Sequence, residues 1–129
     1  VADALTQSGD VDLIVGHHAH VVQPIEKVNG VWVMYGMGNV LSNLPTDERW
    51  PASSQDAGVF TITMRRSTTG KVSFDSPVVH PTWVDKQNGW IIRDITKLFA
   101  NSNTSGVNTR ELELSLGRTT RVLGEFITP

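Results

Sequence analysis

Val11-Asp12-Leu13-Ile14-Val15-Gly16-His17-His18-Ala19-His20 is the stretch on which the fold turns. Its first half is a short β-branched run that stops at Gly16 and reads as a buried strand. Just before it, Val1-Ala2-Asp3-Ala4-Leu5-Thr6-Gln7-Ser8-Gly9 reads as the end of a helix. Ala4 and Leu5 are good helix formers, Val1 and Leu5 share a face, and Gly9 supplies a stop. No N-cap or first turn precedes this helix, so the chain is expected to enter mid-element, as part of a longer protein; the alternative is a native start at the small Val1 after methionine removal. A helix feeding a buried strand predicts an opening α/β layer.

The second half of the stretch carries the chemistry. Three of the four histidines fall within Gly16-His17-His18-Ala19-His20. Ligands commonly sit just beyond the carboxyl ends of strands in α/β sheets. In extended backbone, His18 and His20 would project to one side with Cα atoms about 6–7 Å apart, and His17 to the other. Two imidazoles so placed could each hold one of two metals spaced about 3.5–4 Å apart. The bland alternative is a polar loop with ordinary histidines. A catalytic metal also needs further ligands and an open position. Asp10 and Asp12 read as a helix-to-strand turn at the far end of the strand. Glu26, Asp47, Glu48 and Asp56 have no positional support. Either a loop over 42–56 folds back to supply acids, or the remaining ligands lie upstream of Val1.

Working outward, Val21–Val28 and Val31–Tyr35 flank Asn29-Gly30, a type I′ hairpin signal because both central positions need φ > 0. Gly36, Gly38 and Asn39 end the second strand. Residues 42–56, with Pro45 and Pro51, read as a long surface loop. Gly58–Arg66 alternates, with Val59, Thr61 and Thr63 on one side and Phe60, Ile62 and Met64 on the other. Ser67–Gly70 is a turn, and Lys71–Val79 the expected partner strand. Pro81–Asp85 reads as extended, Asn88-Gly89 as a turn, and Trp90–Ile92 as a strand. A short helix is expected over Asp94–Ala100, a polar loop over 101–106, and a longer helix over Asn108–Leu123 with a stripe at Leu112, Leu116 and Leu123. The expected class is α+β in one domain over residues 1–129: mostly antiparallel strands, an opening helix–strand unit and a C-terminal helix.

Composition narrows the partners. The chain has 129 residues, 39% hydrophobic and 19% charged, with formal net charge −2. A chain of this length can bury about 65–70% of its unfolded surface. The near-balanced charge gives no reason to expect nucleic acid or an anionic membrane. No apolar run approaches the about 18 residues a spanning helix needs, so no membrane contact by this segment is expected. Without cysteine, any metal must be held by His, Asp, Glu or Asn. Arg65-Arg66 and Arg118–Arg121 read as solvated basic spots, and His80 as structural. The four tryptophans, Trp32, Trp50, Trp83 and Trp90, read as core, with a sugar- or peptide-binding groove as the alternative. An interrupted sheet would leave an open edge, through which a homodimer could form.

Asp12 to Glu26 resembles the Asp-hydrophobic-Gly-His-His-x-His-Val-x-Gln-Pro signature of the bacterial capsule-synthesis family of CapA type, associated with poly-gamma-glutamate. Asn29-Gly30 through Tyr35-Gly36-Met37-Gly38-Asn39-Val40 resembles that family's Tyr-Ser-Leu-Gly-Asn-Phe segment. It departs at Gly36, Met37 and Val40, where the family usually has Ser, Leu and Phe. The match covers about 30 residues in order and fades beyond residue 64. The family resembles calcineurin-like metallophosphoesterases, whose last metal motif is Gly-His-x-His. The resemblance therefore implies the C-terminal portion of a calcineurin-like α/β/β/α sandwich. It implies His18 and His20 as metal ligands, with the first role shared ambiguously between His17 and His18. Two divalent ions, manganese, zinc or iron, are implied for the intact protein. They would activate a water and polarise a phosphoryl or similar ester oxygen. The family's earlier motifs, an N-terminal Asp, an Asn-containing motif and a His-Trp-Gly segment, are not in this sequence.

His17 is the candidate catalytic acid or orienting group. Asn39 is a candidate substrate contact, or else an Asn that tolerates turn geometry. Tyr35 is a candidate donor to a phosphate-like group, or else a strand cap. The implied partners are the upstream portion of the same protein and envelope polymer-synthesis subunits, in an extracytoplasmic, envelope-associated setting. The competing expectation is a non-catalytic binding or assembly module, for which net charge −2 argues mildly against an acidic polymer as ligand.

Overall fold

The computed structural model describes residues 1–102 and 104–127. The class is α+β, as the sequence predicts. Helix α1 spans Ala2–Gln7, and strand β1 Leu13–Val15. β2, Ile25–Val28, and β3, Val31–Met34, form the expected hairpin, with Asn29 at φ 48° and Gly30 at φ 84°. β1 joins on the other side of β3, parallel to it, giving the order β1-β3-β2 with Val15 opposite Met34. The hairpin turn also anchors α1. Asn29 Nδ2 donates to Asp3 Oδ1 and to Thr6 Oγ1, both at 3.0 Å. Val1 and Leu5 are exposed.

The second sheet departs from the expected pairing. β4 spans Asp56–Thr61, β5 Met64–Arg66, β6 Val72–Phe74, β7 Val78–Asp85 and β8 Ile91–Asp94. Lys71–Val79 is not one partner strand for 58–66. β5 and β6 make a small hairpin of their own, while β4 pairs with β7 from Asp56↔Trp83 to Thr61↔Val78. Both strands break at the same level, so the ribbon splits in two without losing its pairing sense. β8 adds on the far side of β7, giving the order β4-β7-β8. The turn before β8 has positive φ at Gly89 and Trp90. The 42–56 segment is not wholly loop: a 3₁₀ turn occupies Ala52–Gln55, and Asp56 already belongs to β4.

Helix α2, Ile95–Ala100, starts at Asp94, whose Oδ1 accepts from Lys97 N at 3.0 Å. The polar loop expected over 101–106 includes Asn103, which lies outside the described residues. Helix α3, Thr109–Leu123, starts at Asn108, whose Oδ1 accepts from Glu111 N. Its buried side is Leu112, Ser115, Thr119 and Leu123. Leu116, expected in the stripe, is half-buried at its margin, because 3.6-residue periodicity centres the stripe between Ser115 and Leu123.

The core lies where the first sheet, β7 and the end of α3 meet. Ile25, Met34, Val79, Leu123 and Phe126 form it, with Trp32, Phe60 and Ile127 packed against them. Trp32 meets Phe126 edge-on, ring centroids 5.9 Å apart, as the core reading of that tryptophan expects. The two sheets are also joined through backbone. Met37 O accepts from Gly58 N at 3.1 Å, and Gly38 bridges Ala57. Gly38 has φ +73°, and a Cβ there would fall 2.3 Å from Asp56 O. Only glycine permits this approach.

Arg118 is not solvated, contrary to the sequence reading. Its guanidinium forms a fork on Asp56, with Nε–Oδ2 2.5 Å and Nη2–Oδ1 2.7 Å. The Asp56 side chain is only 2% exposed, so leaving it unpaired would cost far more than a surface charge does. Asp85, equally buried, is paired with Arg93 at 3.0 Å. Arg65 does lie at the surface, paired with Asp75. His80 faces Asp94 across the β7–β8 pair, Nδ1–Oδ2 3.7 Å.

Candidate functional site at the histidine loop

The histidines sit on a loop pinned at both ends to one neighbouring segment. At its start Gly16 N donates to Met34 O at 2.6 Å. A Cβ on Gly16 would fall 2.3 Å from Tyr35 O, so the residue must be glycine for β1 to end against β3. At its end Gln23 N donates to Gly36 O at 2.9 Å, and Val22 bridges Met37. The span between is clamped at the carboxyl end of β1, where the sequence places it.

The loop is not extended. His18 has φ 88° and His20 φ 60°, both left-handed, which is uncommon for residues other than glycine. The alternation expected for a strand therefore does not apply, yet the two rings still come together. Their centroids are 6.4 Å apart at an interplanar angle of 39°. His17, His18 and His20 are all exposed.

His20 is held from three directions. Its Nδ1 lies 2.9 Å from Asn39 Oδ1. Asn39 Nδ2 donates to His20 O and to Ser54 O, each at 3.1 Å. The indole of Trp50 meets the His20 ring nearly perpendicular, 5.8 Å between centroids. Trp50 is set in a tight turn. Asp47 and Trp50 exchange backbone hydrogen bonds, and Asp47 Oδ1 accepts from the backbone N–H groups of Arg49 and Trp50.

The 42–56 segment thus does fold back onto the histidines. It brings an indole edge and the Ser54 carbonyl, while Asp56 is committed to Arg118. Asp12 lies at the opposite end of β1, beside Lys27 and Gly30. Among the described residues, no group of three or more His, Asp or Glu gathers as a metal would require. Tyr35 Oη donates to Glu26 Oε2 at 3.3 Å. Desolvation, then the neighbouring Glu26 charge and this hydrogen bond, raise its phenol above the usual value. Asn39 itself is not left-handed; the positive φ belongs to Gly38, so turn tolerance does not explain Asn39. Trp50 and Ser54 were not visible as neighbours of His20, because only folding brings positions 30 and more residues apart together.

A profile of the bacterial capsule synthesis protein PGA_cap family matches residues 1–44, the part that builds α1, the first sheet and the histidine loop. The chain is also 32% identical to the PGA biosynthesis protein CapA of Bacillus subtilis (strain 168) over 103 residues, 75% of this chain. The chain belongs to the bacterial capsule synthesis protein family. It spans about a quarter, 26%, of the length of the curated relative it matches. No solved structure matches the chain. The family match ends at residue 44, so it includes His17, His18, His20, Tyr35 and Asn39 and excludes Trp50 and Ser54. No helix among the described residues is long and apolar enough to cross a membrane.

Proposed function

We propose that this chain contributes the last histidine motif of a two-metal, phosphoesterase-like site to a protein of capsule or poly-gamma-glutamate biosynthesis at the bacterial cell envelope. The observation that carries this is the pair of exposed imidazoles, His18 and His20, 6.4 Å apart at the end of β1. That spacing suits two nitrogen donors directed at neighbouring metal ions. His18 and His20 are the ligands in this reading, and His17 orients a ligand or gives a proton to the leaving group. When bound, divalent manganese, zinc or iron supplies Lewis acidity for hydrolysis of a phosphoryl or similar ester. The rest of the ligand set comes from upstream in the intact protein, in a calcineurin-like arrangement, so this chain alone is expected to hold metal weakly and to hydrolyse nothing at a useful rate. Tyr35, paired with Glu26, stands at the same end of the first sheet and is the candidate for substrate contact; Asn39, the other candidate from the sequence, has its amide engaged by His20 and Ser54.

Titration of the metal-free chain with Zn²⁺ and Mn²⁺ by calorimetry, beside a His18→Ala/His20→Ala variant, tests the reading. Binding that disappears in the variant supports a histidine half-site. Equal heats from both proteins, or none from either, would remove the half-site and favour a second reading. That reading is a non-catalytic assembly module of an envelope polymer-synthesis complex. It is favoured by the lack, among the described residues, of any group of three or more His, Asp or Glu that could hold a metal ion.

A further inference from the structure

We infer that Asn39 is a positioning residue that fixes the tautomer and the ring plane of His20, leaving Nε2 as the free nitrogen. Its value to a metal rests on the reading above; the tautomer itself does not.

The argument begins with the amide. A side-chain amide has two N–H donors and one acceptor oxygen. Both donors of Asn39 are spoken for by carbonyls, His20 O and Ser54 O, at 3.1 Å each. Turning the amide over would set its oxygen against two other oxygens, so its orientation follows from the network. Oδ1 then faces His20 Nδ1 at 2.9 Å. An amide oxygen only accepts, so Nδ1 carries the proton. In a neutral imidazole the lone pair must then be on Nε2. Free histidine favours the other tautomer, so the protein is selecting the less common form.

The rest of the surroundings hold the ring in place. The perpendicular Trp50 indole limits rotation about the ring axis, and Asp47 stiffens the turn that carries Trp50. The left-handed backbone at His20 turns its carbonyl to meet the Asn39 amide, so one residue holds both the ring and the main chain. Ligating histidines characteristically donate their second ring nitrogen to such a partner, and loss of that partner weakens metal binding about 10–100-fold. No counterpart hydrogen bond holds His18 among the described residues, so the two histidines are unequal: His20 is preorganised and His18 is free to adjust.

Two-bond proton–nitrogen correlation spectra of the metal-free, ¹⁵N-histidine-labelled chain, at a pH where imidazoles are neutral, read the tautomer directly. The wild-type His20 ring is expected to show protonated Nδ1 and bare Nε2. Asn39→Ala should return it to the Nε2–H form. Asn39→Asp keeps an acceptor opposite Nδ1 and should retain Nδ1–H, while its second oxygen, set against His20 O and Ser54 O, loosens the hold on the main chain. Zinc affinity by calorimetry should fall about 10–100-fold in Asn39→Ala and less in Asn39→Asp. An Nε2–H tautomer in the wild type overturns the inference outright, and so does an unchanged tautomer in a folded Asn39→Ala. Should the alanine variant not fold, the wild-type and Asn39→Asp spectra decide the matter alone. A wild-type chain that shows Nδ1–H but binds no zinc sinks the metal-site reading and upholds the role of Asn39.

Discussion

The β1–β3 sheet with its histidine loop, and the β4-β7-β8 sheet with α3, deal with polar groups in opposite ways. The second unit buries two carboxylates, Asp56 and Asp85, and pairs each with an arginine. The first leaves its three histidines at the surface and steadies one of them with a neutral amide. The difference teaches which groups are free for chemistry. A buried carboxylate matched to a guanidinium fork has its lone pairs occupied, and removing it would strand a charge. An exposed imidazole with one nitrogen held by an amide keeps the other nitrogen open. The charged pairs therefore hold the architecture, and the histidines are the groups left available to a ligand.

The largest expected effect breaks the structural half of this contrast. Arg118→Met leaves the Asp56 carboxylate buried and alone, and should cost about 3 kcal/mol of stability in urea unfolding. Adding Asp56→Asn should recover part of the loss, because no uncompensated charge remains. A single variant as stable as the wild type would mean the pair does not anchor α3 to β4. Next comes the joint between the two units. Gly38→Ala forces a Cβ toward Asp56 O at a left-handed position, and should cost about 2 kcal/mol by thermal melting. It should also disturb the His20 ring, since Asn39 follows directly. A variant that melts normally would show that the joint yields easily.

The smallest effect sharpens the contrast from the other side. Arg65–Asp75 is as short as the buried pairs, 2.6 Å, but lies in solvent. Arg65→Ala should leave the urea midpoint almost unmoved, a far smaller shift than Arg118→Met produces. The Arg65 hydrogen bonds hold the Asp75 carboxyl below its ordinary value, against desolvation and with a lesser contribution from the Arg65 charge. The contribution of the pair is therefore present above the carboxyl's unfolded pKa and lost as pH falls through the lower folded value. A large loss from Arg65→Ala, or one that persists in strong acid, would show that exposure is not what separates the two kinds of pair.

Much of the fold was legible because it is written in local patterns. Asn29-Gly30 dictates a turn with two positive φ angles, and the Val11–Val15 run ended by Gly16 dictates a short strand, although Leu13 and Ile14 are only half-buried and Val15 is exposed, not buried as the β-branched run predicts. Asp94 and Asn108 cap helices as their side chains allow. The split of the 58–79 ribbon was not legible, since alternation continues through Ile62 whether or not the strand does. Arg118 read as a surface charge because nothing near it in sequence reveals Asp56. The histidine cluster was visible at once, but its extended geometry was wrong: the left-handed residues at 18 and 20 carry no sequence mark such as glycine.

The sequence by itself determined the class of fold, the strand that carries the histidines, and the family, because these depend on periodicity, turn chemistry and residue order. Tertiary structure alone decided what surrounds His20. Asn39 and Trp50 reach it across long separations, with Ser54 O holding Asn39, by way of Gly38 lying against Asp56, and such contacts are set by the packing of two sheets. Sequence order names an imidazole; only the packed neighbours select which of its two nitrogens is left free.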